Sequence, residues 1–152
     1  MNRVGQFEKV IFEQFKKDYL QMLLSGADYK DLTKDEENAL LQAYETIILP
    51  ARATSGSAGY DFISPIDFMI CPEKSIVIPT GIRAKMDEGW FLGVFPIDNT
   101  VKIIDRNYYY SDNQGHILIR ITNNSKSTVF INGGRPFAQG IFIQFGITYK
   151  GC

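Results

Sequence analysis

Ala53-Thr54-Ser55-Gly56-Ser57-Ala58-Gly59-Tyr60-Asp61-Phe62 is a loop of small residues that runs straight into a strand. Gly56 and Gly59 remove two side chains where backbone must approach a ligand or another chain, and Asp61 places a carboxylate at the strand entrance. Downstream of this loop the pattern stays short, β-rich and turn-punctuated. Strands are expected over Tyr60-Ile63, Ser75-Ile78, Gly81-Met86, Trp90-Phe95, Thr100-Ile104, Ile117-Thr122, Thr128-Ile131 and Ala138-Tyr149. Turn chemistry separates them at Ser64-Pro65, Asp87-Glu88-Gly89, Ser111 to Gly115 and Asn132-Gly133-Gly134. Many short strands at such spacing predict a mainly β fold, a barrel or jelly roll.

Upstream of the loop the period changes. Phe7, Val10, Ile11, Phe15, Tyr19 and Met22 recur at three and four residues with charged residues between them, the spacing of an amphipathic helix that ends near Ser25-Gly26. A second helix is expected after Thr33, whose hydroxyl caps it while Glu36 reaches back. Ala39, Leu40, Ala43 and Tyr44 form its apolar stripe, and Pro50 lies beyond its end. Residues 1–50 therefore read as a helical segment packed on a β domain of residues 51–152, together one structural unit.

The chain has 152 residues and a net charge of -1, with a pI near 5.8. That balance gives no chain-wide attraction to nucleic acid or anionic lipid, and a nucleotide needs only local donors. Apolar runs fall far short of the ~20 residues that span a bilayer, and the opening residues do not form a signal peptide. The expected place is the cytoplasm. Cys71 and Cys152 read as free thiols there. His116 follows Gly115 in a turn without a neighbouring Cys or second His, and reads as an exposed hairpin residue. There is no Walker or dinucleotide glycine loop and no nucleophile elbow.

A second segment stands out, Asp98-Asn99-Thr100-Val101-Lys102-Ile103-Ile104-Asp105-Arg106-Asn107-Tyr108. An acid flanked by isoleucines and followed by an aromatic ring suits a base poised beside a stacked ring. Taken in order, these segments resemble the homotrimeric dUTPase family, in particular its longer bacterial and phage type with N-terminal helices. Ala53 to Phe62 is similar to the family's first motif and Asn99 to Tyr108 to its third. Gly134 to Gln139, followed by Gly140-Ile141-Phe142, is similar to the fourth, and Pro79-Thr80-Gly81-Ile82 sits at a matching strand entry. The resemblance extends from the N-terminal helices to about Thr148.

This resemblance implies a dUTPase-like β-barrel or jelly roll with two N-terminal helices. It also implies hydrolysis of dUTP to dUMP and pyrophosphate with magnesium carried on the nucleotide phosphates, and no metal held directly by protein side chains. Asp105 would orient and deprotonate the attacking water. Tyr108 would lie under the deoxyribose, Asn99 would read the uracil edge and Gln139 would donate to the phosphates. Asp61 would belong to the surroundings of phosphates and metal. The implied partners are a deoxyuridine nucleotide and two further copies of the chain.

The departures carry their own expectation. Where the family has Pro-Arg-Ser-Ser and a short helical segment, Pro96 runs directly into Ile97-Asp98-Asn99-Thr100. Lys102 replaces a glycine, and Arg106-Asn107 replace a Ser-Asp pair. Arg135 stands where this type has an acid. The chain stops at Lys150-Gly151-Cys152 without a Gly-rich arm. Fewer phosphate donors imply impaired turnover. The alternatives are a catalytically degenerate trimeric module that binds nucleotide or a regulatory protein, and a relative of dCTP deaminase; Ile104-Asp105-x-x-Tyr108 favours the dUTPase branch.

Overall fold

The computed structural model describes residues 1–23, 32–104 and 107–151. In chain order the elements are β1 (Gly5–Lys9), α1 (Phe12–Leu23), α2 (Lys34–Glu45), β2 (Ala51–Arg52), β3 (Tyr60–Ile63), β4 (Phe68–Ile70) and β5 (Ser75–Pro79). They continue with β6 (Ile82–Met86), β7 (Trp90–Pro96), β8 (Val101–Ile104), β9 (Tyr108–Tyr110), β10 (Leu118–Asn123), β11 (Val129–Ile131) and β12 (Pro136–Gln144). The fold is mainly β with two helices, as the alternation of its strands requires.

All the pairings are antiparallel. The largest sheet has the order β2-β3-β12-β7-β9, and smaller sheets pair β5-β10-β8, β11-β4 and β1-β6. Strand β10 shows why the chain folds this way: its residues alternate between half-buried and buried, and Ile119 and Ile121 point inward with almost no exposure. They meet Phe62, Ile70, Ile78 and Leu92 in one core to which all four sheets contribute.

The helical period starts later than the sequence spacing suggests. Gly5–Lys9 is a strand, with Phe7 opposite Ala84 of β6. Phe7 sits 5.3–5.7 Å from the rings of Tyr60, Phe62 and Phe142. A spacing of Phe7, Val10 and Ile11 fits a helix, but burial against three rings decides for the strand. Helix α1 then begins at Phe12 and buries Phe15 completely. The turn at Ser25-Gly26 lies outside the described residues. Helix α2 starts where expected: the Thr33 hydroxyl accepts the Glu36 N–H at 3.2 Å and donates to the Glu36 carboxylate at 2.9 Å.

Three short strands carry too little pattern to be seen in sequence, Ala51–Arg52, Phe68–Ile70 and Tyr108–Tyr110. The last strand is shorter than Ala138-Tyr149. It begins at Pro136, with an irregularity before Ala138, and ends at Gln144. Beyond it Ile147 and Tyr149 are fully or almost fully exposed. Cys71 is an exposed free thiol. Among the described residues no helix is long and apolar enough to cross a membrane.

His116 corrects the expectation of an exposed hairpin residue, for its side chain is only 3% exposed. Its Nε2 accepts the Gly81 N–H at 2.8 Å, and its Nδ1 faces Asp18 Oδ2 at 2.7 Å. An acceptor at Nε2 requires the neutral ring with its proton on Nδ1, donated to Asp18. Burial pulls its pKa below the usual value of 6.5, against the pull of Asp18 in the other direction. The unfolded chain therefore takes up this proton first as pH falls, so stability is complete above pH 6.5 and declines below it. We expect the melting temperature to drop between pH 7 and pH 5. In His116→Gln that slope should flatten, and an unaltered slope would remove His116 from the account.

Candidate active site

Asp61 lies on β3 and is held opposite Gln139 on β12 by the ladder between them. Gln139 Nε2 donates to Asp61 Oδ1 at 3.2 Å. Gly59 explains how the amide fits: a Cβ there would come within 3.1 Å of Gln139 Cδ and Oε1. The small-residue loop thus ends in a glycine over which the Gln139 amide lies. One side of this pairing is legible in sequence as a glycine and the other as a polar residue in a strand; their contact needs the register.

Across β12, Gln139 faces Phe95 of β7, and two residues back along β7 Gly93 faces both Ile141 and Tyr108. Residues paired across strands, and residues two apart along them, share a face of the sheet. Asp61, Gln139, Phe95 and Tyr108 are therefore on one face. The alternating residues Phe62, Ala138, Leu92, Val94 and Tyr109 are buried in the core on the other. Gly93 leaves room for the Phe95 ring, which a Cβ would meet at 2.9 Å. The face is aromatic and open: Phe95, Tyr108, Tyr110 and Phe145 are 39–45% exposed. Sequence reasoning misses Phe95, although its alternation with buried Val94 marks it as facing outward.

Asn99 sits apart from this set, exposed in the turn that joins β7 to β8. Asp98 shapes that turn by accepting both the Thr100 N–H at 2.8 Å and the Thr100 hydroxyl. These hydrogen bonds, the hydroxyl first, hold the Asp98 carboxyl below its usual pKa. The chain crosses between the two strands in residues 97–100 alone. Beside the turn lies a cavity of about 250 Å³, bordered by Asp98, Thr100 and Arg135. Asp105, expected to orient the water, lies outside the described residues together with Arg106. Among the described residues no three His, Cys, Asp or Glu side chains converge on a point that would hold a metal.

The chain matches known proteins over more than half of its length. The dUTPase family profile matches residues 45–150. Deoxyuridine 5'-triphosphate nucleotidohydrolase of Lactococcus lactis is 32% identical over 111 residues, covering 65% of this chain and 74% of that protein. The enzyme of the same name from Dictyoglomus turgidum is 35% identical over 112 residues, 64% of this chain and 73% of its own. Among solved structures, a dUTPase from Streptococcus mutans superposes with a TM-score of 0.64 at 23% identity, covering 95% of this chain and 99% of that one. A mutant dUTPase from phage phi11 of S. aureus, which coordinates a structural Mg(II) ion, gives a TM-score of 0.63 at 19% identity and covers 71% and 90%. The ladder that sets Gln139 against Asp61 lies within the matched region, and the chain belongs to the dUTPase family.

Proposed function

We propose that this chain hydrolyses dUTP to dUMP and pyrophosphate. The observation that carries the reading is the Asp61–Gln139 contact on the same sheet face as Tyr108. In this reading Gln139 donates to the phosphates through its amide, and Asp61 fixes that amide from behind. Tyr108 lies against the deoxyribose, and Asn99 at the mouth of the short turn reads the base. Asp105 orients and deprotonates the water that attacks the α-phosphorus in line, and pyrophosphate leaves on the opposite side.

Magnesium would be supplied with the nucleotide, on its phosphates. Asp61, whose carboxylate accepts from Gln139, would stand in the surroundings of the phosphates and the ion they carry. Bound there, the ion neutralises charge on the triphosphate. An exposed free thiol at Cys71 accords with a reducing cytoplasm.

The test is pyrophosphate release from dUTP with magnesium, paired with dUMP and UMP binding. We expect turnover, and an affinity for dUMP about tenfold above that for UMP, since a ring packed on the sugar excludes a 2′-hydroxyl by contact. Tyr108→Ala should erase the preference; equal affinities in the unmodified chain would remove this role. Binding of dUMP without any pyrophosphate release would make the chain a nucleotide-binding module instead.

The assembly we propose is a homotrimer, supported by the open aromatic face of Phe95, Tyr108, Tyr110 and Phe145. An apolar surface of this kind next to polar site residues marks an interface or a ligand groove. Light scattering should return three times the chain mass of 17.2 kDa. A monomer at micromolar concentration would count against the assembly and against any site shared between copies.

A further inference from the structure

On the opposite face of the large sheet, where β3 ends and β12 continues past it, lies a cavity of about 600 Å³. None of Asp61, Asn99, Tyr108 and Gln139 lines it. Its floor is aromatic, with Tyr60, Trp90 and Phe142 all half-buried. Its rim carries two guanidinium groups, Arg52 directly opposite Tyr60 across the β2-β3 ladder and Arg3 from the N-terminal segment. Ser57 adds a hydroxyl.

The charge of this cavity is one-sided. No Asp or Glu among the described residues lines it, and neither arginine joins an ion pair among them. Arg52 spends one donor on the Ser55 carbonyl at 2.8 Å, which fixes its planar head and leaves its other donors available. Structural arginines on a protein surface find a carboxylate when one is near; two that share a cavity without an acid are arranged for an anion from outside. The guanidinium fork matches phosphate oxygens in geometry as well as charge. Phosphate alone would leave most of this volume and the aromatic floor unused, whereas a flat ring stacks on such a floor.

We propose that the cavity is a second nucleotide site, distinct from the dUTP site, which takes a nucleoside diphosphate with its phosphates at Arg3 and Arg52 and its base against Trp90 and Tyr60. The role needs no magnesium, because the two guanidiniums supply the countercharge. Occupancy here would reach the dUTP site through β3 and β12, since Tyr60 precedes Asp61 and Phe142 lies three residues beyond Gln139 on the same two strands.

Trp90 is the only tryptophan of the chain, so its fluorescence reports on this cavity. ADP serves as the probe, because its ribose hydroxyl disfavours it at Tyr108. Titrated without magnesium, ADP should change the Trp90 emission saturably and bind at least about tenfold more tightly than adenosine, which lacks the charge, and than pyrophosphate, which lacks the ring. Arg52→Met and Arg3→Met, both at exposed positions, should each weaken ADP by about tenfold, while Gln139→Ala leaves it unchanged. Absence of a saturable change up to millimolar ADP, or binding retained in the double arginine variant, would overturn the proposal. Pyrophosphate binding as tightly as ADP would overturn the assignment of the ring. Loss of ADP binding in Gln139→Ala with retention in Arg52→Met would return the signal to the dUTP site.

Discussion

Replacing Asp105 with asparagine lowers magnesium-dependent pyrophosphate release from dUTP by about a thousandfold, the middle of the range for a positioned general base. The carboxamide keeps the size and much of the hydrogen bonding of the carboxylate, so dUMP affinity should change little. It loses the ability to take a proton from water, and the loss appears in kcat. The expectation rests on the resemblance, which puts Asp105 in the segment similar to the family's third motif. Asp61 is engaged by Gln139, Asp98 is engaged by Thr100, and His116 is buried against Asp18 and Gly81. These three groups already hold partners, and the resemblance assigns the base to Asp105. Turnover in Asp105→Asn within threefold of the parent would reassign the base.

The second large effect concerns stability. Gly81→Ala should destabilise the chain by about 2–3 kcal/mol, combining the left-handed backbone with added bulk in a packed site. Gly81 has φ of +75°, and a Cβ there would stand 2.2 Å from Ile47 Cδ1. That methyl ends a flexible side chain, but Ile47 packs against both hydrophobic clusters and has little room to turn. The position also joins three parts of the fold: its carbonyl accepts the Val10 N–H at 2.9 Å, and its N–H reaches His116. For a chain of this size the melting temperature should fall by about 5–10 °C. Ile47→Val in the same background should recover the packing share and leave the backbone share. A shift under about 1 °C in Gly81→Ala alone would contradict the geometry.

The fold is readable in the sequence wherever one physical signal dominates. Strands such as Leu118–Asn123 alternate cleanly, and Thr33 with Glu36 marks a helix start by hydrogen-bonding chemistry alone. Gly5–Lys9 reads wrongly as helix because Phe7, Val10 and Ile11 continue the helical spacing, and the rings that decide for a strand lie more than fifty residues away at Tyr60, Phe62 and Phe142. His116 misleads for the same reason, since its partner Asp18 belongs to a helix distant in sequence. For the site, the loop before β3 singles out Asp61 and the resemblance singles out Gln139, but their contact and the aromatic face around Phe95 depend on strand register. Register is fixed by which face is buried, a property of the whole sheet.

The placement of β12 has a consequence for how the protein is made. It is the last strand among the described elements, yet it lies inside the large sheet between β3 and β7. A ribosome releases β3 and β7 long before the strand that joins them, so during synthesis both present unpaired edges with no partner to close on. The N-terminal strand waits too, because β1 pairs with β6 from much later in the chain. Such distant pairings close slowly, and domains usually gain structure as units once their last element is available. Folding of this chain therefore waits for the emergence of Pro136–Gln144, which is its trigger.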